Sequence, residues 1–130
     1  MAKKIEVKVV LDVVEEQEWT AVEAELITRA KKAAELAYAP YSEFLVGASV
    51  LLENGVIFEA SNQENVSFPV GICAERALLS FVHGNQPGVR PIKLAVVARR
   101  NKSEGYAPVT PCGLCRQTIN EYEQIYGHPI

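Results

Sequence analysis

The chain has 130 residues, 48% of them hydrophobic, which suits one domain (1–130) with a core of its own. Its 13 Lys and Arg against 16 Asp and Glu leave a net charge of -3, which argues against a nucleic-acid partner because phosphate contacts need a basic face. No run is apolar enough to span a bilayer, and Glu6, Lys8 and Asp12 break up any signal-peptide core, so a cytoplasmic protein without membrane contact is expected.

Ile5, Val7, Val9, Leu11 and Val13 alternate with more polar residues for part of the way, so residues 1–14 read as an extended arm or short strand. Residues Glu15 to Tyr38 carry Trp19, Val22, Leu26, Ala30, Ala33 and Ala37 at helical spacing. This predicts an amphipathic helix that stops before Pro40, with Trp19 on its apolar face. Phe44 to Leu52 is a continuous apolar run and reads as a buried strand. Asn54-Gly55 predicts a tight hairpin into a second strand, Val56 to Ala60. A polar loop, Ser61 to Gly71, precedes a helix from Cys73 to His83, ended by Gly84-Asn85. Leu94 to Ala98 reads as a third strand, and Cys112 to about Tyr126 as a last helix, stopped by Gly127 and Pro129. His83 and His128 sit at no ligand spacing and read as surface or loop residues. The alternation of elements predicts an α/β fold with a mixed sheet.

The three cysteines are Cys73, Cys112 and Cys115. An odd number without a secretion signal points to metal or redox chemistry, not a disulfide framework. Three thiolates fill three corners of a zinc tetrahedron and leave the fourth for water, which is a catalytic layout. Cys112 and Cys115, three apart at a helix start, can face one point. Cys73 and Glu75, two apart, can reach the same point only if Cys73 sits at the irregular start of its helix, which Gly71-Ile72 allows. A helix N-terminus also favours thiolates. Arg76 and Gln117 are candidates to donate to thiolate sulfur and offset the negative charge of such a centre. Taken singly each feature has a plainer reading: a redox pair or structural zinc knuckle for Cys112 and Cys115, a buried apolar thiol for Cys73, a solvated face for Glu75 and Arg76. In the order Cys-Ala-Glu and then Pro-Cys-Gly-Leu-Cys, they match the pattern of zinc deaminases that act on cytosine-type bases.

Four blocks sharpen that match: Pro40-Tyr41-Ser42-Glu43-Phe44-Leu45-Val46-Gly47-Ala48, Asn62-Gln63-Glu64-Asn65, Gly71 to Ala77, and Pro111 to Gln117. In this order they closely resemble the small homotetrameric cytidine deaminases. The resemblance implies a three-layer α-β-α sandwich around a central mixed sheet, with one zinc per subunit held by Cys73, Cys112 and Cys115. It implies Glu75 as proton shuttle, Asn62 and Glu64 on the ribose hydroxyls, Phe44 against the pyrimidine, and the Ala74 backbone on the base amide. It also implies that Val66-Ser67-Phe68 lies at a subunit boundary. The activity implied is hydrolysis of cytidine and deoxycytidine to uridine and deoxyuridine, in pyrimidine salvage. Buried polar groups set for sugar hydroxyls independently favour a nucleoside over the free base. Ordinary loop polarity for Asn62 and Glu64, and core packing for Phe44, are the plainer alternatives.

The family pattern runs on past the last helix, so the resemblance implies a sheet shortened at its C-terminal side, and a homotetramer, or a dimer if the shortening is real. The arm Lys3 to Val14 exceeds what the family needs and could pair with an open sheet edge or stay unstructured. The competing functions are a deaminase for another cytosine-containing nucleoside, such as an aminoglycosyl cytosine, a zinc-structured nucleoside-binding protein without turnover, and a thiol redox protein. Asn62 to Asn65 disfavours the first and Glu75 the second, while the third predicts no zinc.

Overall fold

The computed structural model describes residues 1–130. A 3-10 turn at Glu16–Glu18 leads into helix α1, Ala21–Ala34. Strands β1, Phe44–Leu52, and β2, Ile57–Ser61, follow, then a second 3-10 turn, Phe68–Val70. Helix α2, Ala74–Asn85, strand β3, Pro91–Arg100, and helix α3, Gly113–Tyr126, complete the order.

Everything is built around β1, the middle strand of a sheet ordered β2-β1-β3. Its side chains alternate between two faces. Ala48, Val50 and Leu52 join Ala74, Leu78, Leu79 and Val82 of α2 in the main core cluster, with Ile119 and Tyr122 of α3 packed against it. On the opposite face, Ser49 Oγ donates to the Leu26 carbonyl of α1 at 2.6 Å. At Gly47, α1 comes so close that a Cβ would overlap the Ala30 carbonyl oxygen. The result is three layers: α1, the sheet, and α2 with α3.

The hairpin forms at the predicted turn, where Gly55 has φ +84° and Leu51 pairs with Ile57. β3 returns through α2 to the other edge of β1 and runs antiparallel to it, with Val50 opposite Leu94. The expected mixed sheet is therefore antiparallel in both its pairings. β2 and β3 do run the same way, but β1 separates them, so no parallel ladder forms. The one parallel contact is an isolated bridge between Tyr38 and Gln63.

The first helix is shorter at both ends than its apolar periodicity predicts. Thr20 and Glu23 form a reciprocal capping box, with Glu23 N–H donating to Thr20 Oγ1 and Thr20 N–H to Glu23 Oε2, and this fixes the start at Ala21. Trp19 thus precedes the helix, half-buried, instead of lying on its apolar face. At the other end, bonds from Leu36 N–H to Ala33 O and Ala37 N–H to Ala34 O tighten the chain and stop the helix. Residues 1–14 form no strand and all are exposed, because a strand without a neighbour has nothing to pair with. His83 is also not a simple surface residue. It packs between Tyr122, at 4.9 Å between ring centroids, and Tyr126, whose hydroxyl is 3.4 Å from His83 Nδ1. His128 is exposed as expected. No helix is long and apolar enough to cross a membrane.

Candidate metal centre

Two loops each end in a cysteine that opens a helix. Ile72 exchanges backbone hydrogen bonds with Gln63, which anchors the extended segment ahead of α2 and sets the position of Cys73. Cys73 is the N-cap of α2, with extended φ -69° and ψ 152°. Cys112 is the N-cap of α3, with φ -66° and ψ 171°. The Cys73 side chain makes no capping bond to its own helix, whereas the Cys112 sulfur faces Cys115 of its own helix start.

The three Sγ atoms of Cys73, Cys112 and Cys115 lie within 4.8 Å of one another. Cys73 and Cys112 are 3.6 Å apart, Cys112 and Cys115 3.4 Å. Sulfurs bound at about 2.3 Å to one tetrahedral zinc stand roughly 3.8 Å apart, so these two pairs need to open by only a few tenths of an ångström to hold the ion. Softness agrees as well, since a donor set of thiolates alone selects zinc over hard cations. A structural site would complete the tetrahedron with a fourth protein ligand; here the cluster of metal-ligating side chains stops at three.

Glu75, the second residue of α2, is 5% exposed, and its charge raises the thiol pKa of both Cys73 and Cys115. The carboxyl lies two residues past the Cys73 N-cap, buried at the start of the helix. Burial is the larger cause of the upward shift at both thiols. Cys112 is different. The N–H of Cys115 is the main influence on it, and with the N–H of Leu114 and the neighbouring thiols it holds Cys112 below the usual thiol value, against partial burial. A helix N-terminus acts here through specific amides.

Two expected thiolate partners make no hydrogen bond to sulfur. Arg76 Nη2 donates to the Gly71 carbonyl at 3.2 Å, not to sulfur, because the turn before α2 brings that carbonyl within reach. Its Nε is buried without any acceptor. Gln117 is exposed and lines a surface depression with Ser80, Thr118 and Glu121. It lies two residues beyond Cys115, on another side of the helix.

The residues expected to meet a sugar come together around the start of β1. Asn62 accepts from Val46 N–H at 2.9 Å and donates to the Phe44 carbonyl at 3.0 Å, extending the ladder with its side chain. Glu64 Oε1 accepts from the N–H groups of Tyr41 and Ser42 at 3.0 and 3.1 Å. Desolvation acts to raise the Glu64 pKa, but these bonds from Ser42 and Tyr41 outweigh it and hold the carboxyl below its ordinary value. Phe44 opens β1 half-buried and outside the main core cluster. Ala74 is fully buried as the first residue of α2, and the first intrahelical bond runs from Ala77 N–H to Cys73 O. The Ala74 N–H therefore has no partner within its helix. Tyr41 and Ser42 hold Glu64 through their backbones, which left no mark in their side-chain types.

Residues 20–126 match the family described as the cytidine and deoxycytidylate deaminase zinc-binding region. A cytidine deaminase of Sporosarcina psychrophila is 49% identical over 98 residues, 75% of this chain and 67% of that protein. One of Mycobacterium tuberculosis is 39% identical over 105 residues, 78% of this chain and 74% of that protein. The crystal structure of cytidine deaminase from Mycobacterium tuberculosis superposes with a TM-score of 0.64 at 36% identity, covering 76% of both chains. That of the Burkholderia pseudomallei cytidine deaminase gives 0.63 at 40% identity, covering 74% of this chain and 72% of that one.

Proposed function

Because this chain belongs to the cytidine and deoxycytidylate deaminase zinc-binding family, we propose that it hydrolyses cytidine, and deoxycytidine, to the corresponding uracil nucleoside and ammonia, in pyrimidine salvage. The observation that carries this is the cluster of three cysteine sulfurs placed to hold one ion, with the buried Glu75 two residues past Cys73 at the start of the same helix.

Cys73, Cys112 and Cys115 would hold the zinc, which would supply the Lewis-acid chemistry that activates water near neutral pH. Glu75 takes the proton from the attacking water on a carboxylate oxygen and hands it to N3 of the pyrimidine as the C4–O bond forms. It then takes the remaining proton from the C4 hydroxyl and delivers it to the exocyclic amine, so that C4=O forms as the C4–N bond breaks and ammonia leaves. One buried carboxyl serves both transfers because the two sites lie on adjacent atoms of the ring. Arg76, whose Nε is buried without an acceptor three residues from Cys73, offsets the charge of the thiolates.

Ala74 N–H donates to the pyrimidine carbonyl, and Phe44 packs against the ring. Glu64 is held ionised with Oε1 already doubly engaged, which leaves Oε2 to accept from a ribose hydroxyl. Asn62 keeps one N–H and one lone pair beyond its bonds to β1. A free base would leave these groups unpaired. Val66 and Phe68 are 86% and 92% exposed beside this site, which supports a subunit boundary there in a homotetramer. Three free thiols in mutual reach suit a reducing, cytoplasmic compartment.

The test is loss of cytidine absorbance with wild type and Glu75→Gln side by side, each assayed for zinc. Turnover by the wild type is expected, with a zinc-replete Glu75→Gln slower by at least about 10²- to 10⁴-fold. Zinc without turnover in the wild type would sink the reading.

A further inference from the structure

Residues Ala39 to Phe44 lead the chain into β1 through a bend that no glycine relaxes. Glu43 has φ +55°, in the left-handed region that a side chain makes costly. Two backbone bonds hold it there. Its N–H donates to the Ala39 carbonyl at 3.0 Å, and its carbonyl accepts from Asn101 N–H at 2.7 Å. A side-chain residue persists in that region only where its surroundings over-determine the backbone. The bend sets what lies on either side of Glu43. Ser42 Oγ accepts from Phe44 N–H at 3.1 Å, while the Tyr41 and Ser42 N–H groups both meet Glu64 Oε1.

Phe44 is thereby held at both ends of its backbone, its N–H by Ser42 Oγ and its carbonyl by Asn62 Nδ2 at 3.0 Å. A continuous run of hydrogen bonds joins Glu64, Ser42, Phe44 and Asn62. Three of these four are the contacts assigned above to sugar and base, and Ser42 is the link between them. Having accepted from Phe44, its hydroxyl still has a proton to give. Glu64 feels it: burial pushes the Glu64 carboxyl up, and the Ser42 hydroxyl, ahead of the Ser42 and Tyr41 amides, brings it below its ordinary value. Ser42 is itself exposed, so its hydroxyl fills no core space.

We propose that Ser42 is a positioning residue for the sugar: its hydroxyl ties the Glu64 carboxylate to the backbone of Phe44, so that the acceptor for a ribose hydroxyl and the ring under the pyrimidine keep one fixed separation. This deepens the reading of Glu64, Asn62 and Phe44 as substrate contacts and rests on it. Two amides on one oxygen leave the carboxylate free to pivot about that oxygen. A third donor narrows the pivot, and the ordering is then complete before substrate arrives.

The experiment compares zinc-loaded wild type, Ser42→Ala and Ser42→Thr. It reads cytidine turnover, and the affinities for uridine and for 2′,3′-dideoxyuridine, which lacks the hydroxyls that Glu64 would take. Ser42 has no positive φ and lies at the surface, so threonine keeps the hydroxyl without strain and alanine leaves no cavity. In Ser42→Ala the KM for cytidine is expected to rise about tenfold with kcat within about twofold of wild type, and Ser42→Thr to restore it. Uridine should bind Ser42→Ala about tenfold more weakly, and 2′,3′-dideoxyuridine as it binds wild type. Equal loss for both ligands overturns the proposal, since Ser42 would then act on the ring or on the fold. An unchanged KM overturns it too. A wild type that neither turns over cytidine nor binds uridine fails one step earlier, at the reading of the site, and takes the proposal with it.

Discussion

Cys73 and Cys112 hold equivalent positions in two different helices, each being the N-cap residue, and their sulfurs stand 3.6 Å apart. Both sulfurs thus sit at the positive end of a helix, which favours the thiolate form. Neither helix builds the cluster alone, since α2 brings one sulfur and α3 the other two.

That arrangement predicts the proton balance of metal binding. Burial pushes the Cys73 and Cys115 thiols up, so both carry protons at neutral pH before zinc arrives, whereas Cys112 is held lower by the Cys115 N–H. Titrating zinc into apoprotein in buffers of different ionisation enthalpy should release about two protons or more per ion. Zinc affinity should fall steeply as pH drops. Release of fewer than one proton would mean that Cys73 and Cys115 are already thiolates in the apoprotein.

Glu64 should be felt in specificity. Glu64→Gln keeps an acceptor for the Tyr41 and Ser42 N–H groups but loses the charge offered to the sugar. We expect kcat/KM for cytidine to fall about 10- to 100-fold, the value of one charge-assisted hydrogen bond, with zinc content unchanged. An unaltered kcat/KM would leave Glu64 as a purely structural clamp.

Gly47 tests the packing of α1 on β1. Gly47→Ala places a methyl group against the Ala30 carbonyl, and backbone cannot move aside as a flexible side chain would. A loss of roughly 1–3 kcal/mol is expected, read as a Tm lower by several degrees. A Tm within error of wild type would show that α1 can shift freely.

The clamp between α1 and β3 gives a pH signature. Hydrogen bonding to Lys93 lowers the Glu23 pKa from 4.5 to about 2. The folded state therefore binds this proton less readily than the unfolded chain. Its stabilisation is fully present above pH 4.5 and is lost as pH falls toward 2. Glu64, also lowered, acts in the same direction. Thermal melts from pH 6 to pH 3 should show Glu23→Gln with a shallower acid loss than wild type, and matching slopes would mean that Glu23 adds nothing to the acid sensitivity.

The residues of the centre were legible in the chain itself. Cys73, Glu75, Cys112 and Cys115 carry a signature in residue type and spacing, and β1 was readable to its end residues because a continuous apolar run has one stable place, the middle of a sheet. The Asn54-Gly55 hairpin followed from local backbone preference. Other features depend on what the chain meets in space. α1 stops at Ala34 and not Tyr38 because the chain turns toward β1, and apolar periodicity does not record that turn. The Thr20 and Glu23 capping box was present in the sequence, but the apolar Trp19 masked it. Strand direction depends on which edge a crossover reaches, so the sheet is antiparallel where alternation of elements suggested a mixed one. Arg76 and Gln117 show the same division. The sequence places them next to the thiolate cysteines, but helix phase and the Gly71 carbonyl decide where they point. Local chemistry is written in residue identity, while direction, reach and partner come from the path of the backbone between sites distant in the chain, which only the folded structure supplies.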